Sequence, residues 1–183
     1  MAAPHGTLLI DARSAGARLP RELALVASLA VDQSFELIVV DDTQDPRVTG
    51  IARRHGARHL RLPGAPLGQR LATAIPKTSG SVLVFPVLGS LSSTRSLLQL
   101  AQRVSVGEVD AVILPGSTPG LFARLLGRRK PTSIAGICLT RHWYERLGGC
   151  DPDLDREALT DLVARLRLCG ARLELAAPHQ RGS

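Results

Sequence analysis

Short apolar runs alternate along this chain with longer stretches whose apolar residues recur every three or four positions. The short runs read as buried strands and the longer stretches as amphipathic helices, and their regular alternation predicts an α/β fold. Residues 7–10 form the first predicted strand. Pro20 then suits the first turn of a helix with an apolar stripe of Leu23, Val26, Ala27 and Ala30. Residues 35–40 form the second strand, closed by Asp41-Asp42. Asp45-Pro46 starts a helix that runs to His55, and Gly56 can end it in a left-handed conformation. Residues 58–62 give a third, short strand. A Pro/Gly loop over 63–68 leads into a helix over 69–78, with Pro76 near its end.

The pattern continues with a strand over 81–85. A helix capped by Ser92-Ser93 follows, with a stripe of Leu97, Leu100, Ala101 and Val104. Residues 110–114 and 134–139 read as further strands. Between them lie a Gly/Pro break at 116–120, a short amphipathic helix over 121–127 and the basic run Arg128-Arg129-Lys130. Thr140 caps a helix carrying Trp143 and Tyr144, and Gly148-Gly149 end it. A last helix covers 156–169, with Gly170 as its stop, and 172–176 is a final strand. The tail over 178–183 reads as disordered.

Composition narrows the class. The 183 residues suffice for one domain with a full core, so 1–183 is read as a single domain with its core over about 7–176 and flexible tails. The chain is 44% hydrophobic, yet no apolar run approaches the roughly 18–20 residues needed to span a bilayer. Its start lacks the features of a signal peptide, and a cytoplasmic location is expected. Cys138, Cys150 and Cys169 show no C-x-x-C spacing and are expected to be reduced core thiols. The net charge of +7 favours polyanions in general, but aromatics are only 3%, too few for a platform that stacks single-stranded nucleic acid. The arginines are scattered along helices, as on solvated faces, so no specific nucleic-acid partner is expected. No histidine spacing suggests a zinc site.

In an open α/β sheet, ligands bind outside the carboxyl ends of the strands. Three such ends carry candidate chemistry: Asp11, Asp41-Asp42, and the segment Val87-Leu88-Gly89-Ser90. An acidic pair at a strand end can accept hydrogen bonds from a base or a ribose hydroxyl, or it can cap a turn. Several stretches, in order, resemble family 2 glycosyltransferases of the GT-A type. Phe-Glu-Leu-Ile-Val-Val-Asp-Asp-Thr-Gln-Asp over 35–45 resembles their E-I-I-V-V-D-D-G-S-T-D segment. Residues 50–57 resemble x-I-A-x-x-x-G-A, and 68–74 with 78–85 resemble the helix and strand before the metal motif. Residues 136–141 and 144–151 resemble G-x-x-x-x-R-x-x-F-x-x-L-G-G-F-D, and 161–170 resemble D-L-x-x-R-L-R-x-x-G. The order and spacing of these pieces cover about residues 7–176.

The resemblance implies a single GT-A-like domain with a mixed, mostly parallel sheet flanked by helices. It implies a nucleotide-sugar donor, UDP- or GDP-linked, and an acceptor it does not identify. Asp41 and Asp42 match the aspartates that bind base and ribose, and the residues around Asp11-Ala12-Arg13 match the first nucleotide-contacting loop. Arg70, on the helix beside the diphosphate, is a candidate phosphate ligand, or else part of a solvated helix face. Two departures stand out. The family's metal motif, D-x-D or H-A-D, falls on Val87, Leu88 and Gly89, so the ligands for Mn2+ or Mg2+ are missing. Arg124, Arg128, Arg129 and Lys130 are candidates to neutralise the leaving group instead. The family's Glu-Asp base motif falls on Glu157-Ala158 counted forward from Gly148-Gly149, or on Ala158-Leu159 counted back from Arg165-Leu166. Glu157 is the candidate base; alternatively Asp153 or Asp155 caps the helix and Glu157 complements its dipole. The segment 121–130 combines an apolar face with basic residues and is a candidate for contact with an anionic membrane surface. The expected function is metal-independent or weak sugar transfer, the alternative being a catalytically inactive nucleotide- or sugar-binding or scaffold protein.

Overall fold

Strands β1 (Gly6–Asp11), β2 (Phe35–Asp41), β3 (Arg58–Arg61), β4 (Val82–Phe85), β5 (Ala111–Pro115), β6 (Ile134–Thr140) and β7 (Leu173–Leu175) form one sheet, ordered β3-β2-β1-β4-β6-β5-β7. The computed structural model describes residues 5–32, 34–86, 88–116 and 134–176. The predicted helix over 121–127, the basic residues Arg124, Arg128, Arg129 and Lys130, Val87 and the tail over 178–183 lie outside the described residues. Only β6 runs antiparallel, against β4 on one side and β5 on the other. The sheet is therefore mixed and mostly parallel, as the sequence predicts.

The continuous apolar runs arise because both faces of the sheet are covered. Leu8, Ile10, Leu37 and Val39 point to one face, packed by α2 (Leu19–Asp32), α3 (Arg47–Arg54) and α5 (Leu91–Ser105). Leu9, Ile38 and Val40 point to the other, packed by α4 (Leu67–Ala74), α6 (Arg141–Arg146) and α7 (Ala158–Leu168). A one-residue alternation along each strand thus assigns every side chain to one of two cores.

Local signals place most helix ends. Asp45 Oδ1 accepts the Arg47 N–H at 2.9 Å ahead of α3, and Gly56 follows it with φ +68°. Thr140 Oγ1 accepts from Trp143 N at 3.2 Å and caps α6. Gly148 and Gly149 end α6 with φ +78° and +79°, and a Cβ at Gly149 would sit 3.0 Å from the Tyr144 ring. Arg165 fixes that turn by donating to the carbonyls of Leu147 and Gly149. Tyr144 Oη accepts the Cys150 N–H at 3.1 Å beside it. These contacts hold the start of the 151–157 loop, which reaches the site described below.

Four expectations need correction. The stretch after Asp11, matched to a nucleotide-contacting loop, coils into α1 (Ala12–Ala15) and a 3-10 turn (Gly16–Arg18), because Asp11 Oδ2 accepts the Ser14 N–H at 3.1 Å and nucleates the first turn. The cap of α5 is Ser90, whose Oγ accepts from Ser93 N at 3.3 Å, and not the Ser92-Ser93 pair. The helix before β4 is α-helical only to Ala74. Pro76 lacks an N–H, and Ile75–Lys77 tightens to a 3-10 turn. Cys138 and Cys150 are buried, but Cys169 follows the last turn of α7 and is exposed.

Candidate functional site

The chain runs from β1 outward to β2 and β3, then returns to the opposite side of β1 as β4. This places a topological switch point between β1 and β4, where open α/β sheets leave a crevice beyond the strand ends. Asp11, the last residue of β1, stands at this point. Asp41 and Asp42 close β2 next to it.

Strand alternation sends Asp41 and Asp42 in different directions. Asp41 is fully buried. Its Oδ1 accepts the Thr43 N–H at 2.8 Å, and its Oδ2 lies 3.0 Å from His59 Nε2. A carboxylate only accepts, so His59 Nε2 donates to it, while Nδ1 lies 3.1 Å from the Thr49 hydroxyl. Asp41 therefore braces β2 against β3 and α3. Asp42 turns to the opposite face and meets Arg70.

Arg70 is the largest fully buried side chain among the described residues, with 0% exposure. The solvated-face reading of this residue is thereby corrected. Arg70 belongs to the same helical stripe as Leu67, Leu71 and Ala74, so its guanidinium is carried beneath the strand ends. Nη1 lies 2.8 Å from Oδ1 of both Asp11 and Asp42, and Nη2 lies 3.5 Å from Asp155 Oδ1. The two 2.8 Å contacts lack hydrogen-bond alignment, and Arg70 Nε has no partner among the described residues. We therefore treat them as ion pairs held by proximity. Arg13 closes the cluster from above, paired with Asp42 and, through Nη1 at 2.8 Å, with Asp155 Oδ2. Three carboxylates thus face two guanidiniums.

Asp155 arrives from far along the chain. Its Oδ1 accepts the Leu67 N–H at 3.0 Å, and the Leu154 carbonyl accepts the Gly68 N–H at 2.9 Å. The 151–155 loop therefore caps α4. The sequence reading had Asp153 or Asp155 capping α7 instead. The side chain preceding α7, Glu157, makes no capping hydrogen bond and is exposed.

A cavity of about 390 Å³ opens beside this cluster at the switch point. Eleven of its fourteen described lining residues are apolar, and the polar three are Asp11, Ser14 and Arg156. Phe85, Pro86 and Leu88 bring the exit of β4 to one wall, and Leu159 from α7 lines it too. Leu88 lies in the segment matching the metal motif, and Leu159 matches part of the base motif in one register. The two sequence departures therefore meet in one cavity. Glu157, the candidate base, is not among its lining residues.

A divalent cation does not fit this donor set. It needs several hard oxygen ligands, and Leu88 has none in its side chain. The nearby carboxylates of Asp11, Asp42 and Asp155 are already paired with guanidiniums or backbone N–H groups. Among the described residues no group of three or more His, Cys, Asp or Glu is placed to hold a metal. The two buried thiols are not primed as nucleophiles either: burial pushes Cys150 up to about 11 and Cys138 up to about 12, and raises Tyr144 as well.

The structure brings Asp11, Asp42 and Arg70 together; Asp41 pairs with His59 instead, and the Glu157 side chain forms no hydrogen bond or ion pair with them. The sequence placed Arg13 only within the stretch matched to the first nucleotide-contacting loop and Asp155 only as a helix cap, without their pairing to Asp42 and Arg70, and it passed over His59. Arg70's burial was signalled by its place on the α4 stripe. The long-range partnership with Asp155 left no local signal.

No protein-family model matches the chain, and comparison with curated proteins gives no match. Solved structures do match. The mannosyltransferase PcManGT from Pyrobaculum calidifontis, solved with GDP-Man and Mn2+, is 19% identical, with a TM-score of 0.69 over 100% of this chain and 59% of that one. Glucosyl-3-phosphoglycerate synthase from Mycobacterium tuberculosis, solved with Mn2+, UDP and phosphoglyceric acid, is 19% identical, with a TM-score of 0.67 over 98% of this chain and 72% of that one. The chain thus spans about three fifths of the mannosyltransferase's length. No described helix is long and apolar enough to cross a membrane. At these identities the likeness is one of architecture, and the chain has the GT-A-like glycosyltransferase fold that its motifs predict.

Proposed function

We propose that this chain binds a UDP- or GDP-linked sugar at the carboxyl edge of its sheet and acts on it without a divalent metal. The observation that carries the reading is the coincidence of the cavity with the switch point, with Asp11 in its wall and Asp42 and Arg70 paired beside it. In this reading Asp11, Asp42 and Arg70 form the nucleotide end, and Arg13 adds positive charge for the diphosphate. Asp41 contributes by fixing the turn that follows β2. Glu157 takes the acceptor's proton, because it is the carboxylate that stands where the first register of the base motif falls.

A second reading is favoured by one observation. Leu88 and Leu159 line the cavity where metal and base chemistry would be needed. In this second reading the chain binds its ligand and does not transfer it.

Calorimetry with UDP-glucose and GDP-mannose, with and without Mn2+, tests the first reading. Binding is expected, with no change on adding Mn2+. Absence of binding to any nucleotide sugar would overturn it. Release of nucleoside diphosphate then separates the two readings. Release that is lost in Glu157→Gln supports transfer and the base assignment, and release that persists in that variant refutes the assignment. Binding with no release establishes the second reading.

A further inference from the structure

We propose that Arg18 stands in for the divalent metal, its guanidinium neutralising the diphosphate of the donor. The inference rests on the nucleotide-sugar reading above and names the group that carries the charge. Gly89 holds the last position of the metal motif and turns the chain with φ +84° at the exit of β4. A Cβ at Gly89 would lie 3.3 Å from Arg18 Nη1 and would meet no other described group within 4 Å. A guanidinium therefore lies beside the place from which the motif's aspartate would project. An aspartate there would pair with Arg18 and not with a metal.

The fold sets Arg18 in this place. Asp11 nucleates α1 at the end of β1, and the chain continues through the 3-10 turn Gly16–Arg18 into α2. Ala15 and Leu19, on either side of that turn, are buried and anchor it in the core. Arg18 is exposed, and its side chain reaches from the β1 side of the switch point to the β4 exit. Among the described residues it has no carboxylate partner, whereas Arg13 and Arg70 are paired with Asp11, Asp42 and Asp155. Arg156 is unpaired too, but it adjoins the candidate base Glu157 and not the metal motif. Charge favours the substitution. Two aspartates and a divalent cation cancel, whereas Leu88, Gly89 and Arg18 leave one positive charge for a diphosphate. In transfer, the bond from the anomeric carbon to the diphosphate oxygen breaks and its electron pair stays on that oxygen. The acceptor oxygen bonds the carbon, and its proton passes to Glu157. Arg18 then stabilises the charge left on the diphosphate.

The test is calorimetry of the full chain in EDTA with UDP and GDP, and with uridine and guanosine as phosphate-free controls. Arg18→Gln is expected to weaken the nucleoside diphosphate about tenfold, the loss of one charge-assisted contact, and to leave the nucleoside unchanged. Arg18→Lys keeps the charge without the planar fork and is expected to recover part of that loss. Gly89→Asp and Gly89→Asn form a second pair, because both side chains tolerate a positive φ. The aspartate variant is expected to bind the diphosphate more weakly than the asparagine variant, since its carboxylate claims the guanidinium. Urea unfolding checks the fold of each variant. Unchanged diphosphate affinity in Arg18→Gln, with wild-type binding intact, overturns this inference and leaves the nucleotide-sugar reading standing. An equal loss of nucleoside affinity in Arg18→Gln overturns the assignment to the diphosphate. A wild-type affinity that rises when Mn2+ replaces EDTA overturns the substitution for a metal. Wild-type protein that binds no nucleotide overturns the underlying reading, and this inference with it.

Discussion

Gly68 offers the sharpest test of how the site is assembled, because two effects of opposite sign compete there. It is the second residue of α4, where alanine is ordinarily favoured over glycine by up to about 1 kcal/mol. A Cβ at Gly68, however, would lie 1.8 Å from the Asp151 carbonyl oxygen, 2.8 Å from its carbon and 3.0 Å from the Leu154 oxygen. All three are backbone atoms, so no side chain can swing aside. To bring the closest contact to even 3.0 Å, the loop must retreat by 3.0 − 1.8 = 1.2 Å. That movement breaks the alignment of two bonds that cap α4, Gly68 N to Leu154 O at 2.9 Å and Leu67 N to Asp155 Oδ1 at 3.0 Å. Each is worth about 1 kcal/mol, and the overpacking itself costs about 1–3 kcal/mol. The clash wins: Gly68→Ala is expected to destabilise the protein by about 2–4 kcal/mol after the propensity gain is subtracted.

Gly50, in the interior of α3, is the matched control. A Cβ there meets nothing within 4 Å. Gly50→Ala is expected to stabilise by about 0.5–1 kcal/mol from propensity alone. Urea unfolding followed by circular dichroism reads both, as opposite shifts of the midpoint at constant slope. A Gly68→Ala midpoint at or above the wild-type value would refute the packing of the 151–155 loop on α4, and with it the route by which Asp155 enters the site.

Other expectations follow from the same geometry. Arg70→Met keeps the volume and removes the charge that Asp11 and Asp42 share, so it is expected to cost about 3–5 kcal/mol in urea unfolding; a loss below about 1 kcal/mol would mean that Arg13 alone suffices. With Cys138 and Cys150 buried and their thiols raised, iodoacetamide at pH 8 is expected to label Cys169 alone in the native protein and all three after unfolding, as read by mass spectrometry. Rapid native labelling of Cys150 would contradict its burial. The hydrogen bond from Arg172 holds Asp110 below the usual carboxylate range, so this pair stabilises the fold above the unfolded carboxylate value of about 4 and loses that contribution as pH falls through the folded value. Asp110→Asn is therefore expected to flatten the acid side of the stability curve and leave its shape unchanged above neutrality.

The strands were legible because burial on both faces leaves uninterrupted apolar runs, and the helix ends because Thr140, Gly56 and Gly170 are local punctuation. α1 was not legible: Ala-Arg-Ser-Ala carries no apolar period, and only the reach of Asp11 to the Ser14 N–H makes it helical. The site was legible in part. Asp41 and Asp42 read as one pair, yet a period of two along β2 already places adjacent residues on opposite faces. His59 looked uninformative because its partner Asp41 is separated from it by a whole helix. The Arg70–Asp155 contact spans 85 positions and depends on how the 151–155 loop lies over α4, which no local pattern encodes.

On the proposed reading, the same cluster decides how a diphosphate would be admitted. Asp11, Asp42 and Asp155 outnumber Arg13 and Arg70 by one charge, so an incoming anion meets guanidiniums that are already matched. Binding therefore requires one carboxylate to give way. Asp42 is 1% exposed and Asp11 12%, both rooted at strand ends, whereas Asp155 is 38% exposed and sits on a loop. Asp155 is the one that can yield, and it occupies the place at Arg13 and Arg70 that a phosphate oxygen would take. Asp155→Asn removes the charge while keeping an acceptor for the Leu67 N–H, so folding is expected to change by less than about 1 kcal/mol. Affinity for UDP, measured by calorimetry at low salt, is expected to rise several-fold. The gain should shrink as salt screens the freed guanidinium of half-exposed Arg13. A fall in affinity would place Asp155 among the groups that hold the nucleotide. An unchanged affinity would mean that nucleotide binds without reaching the Arg13–Arg70 pair.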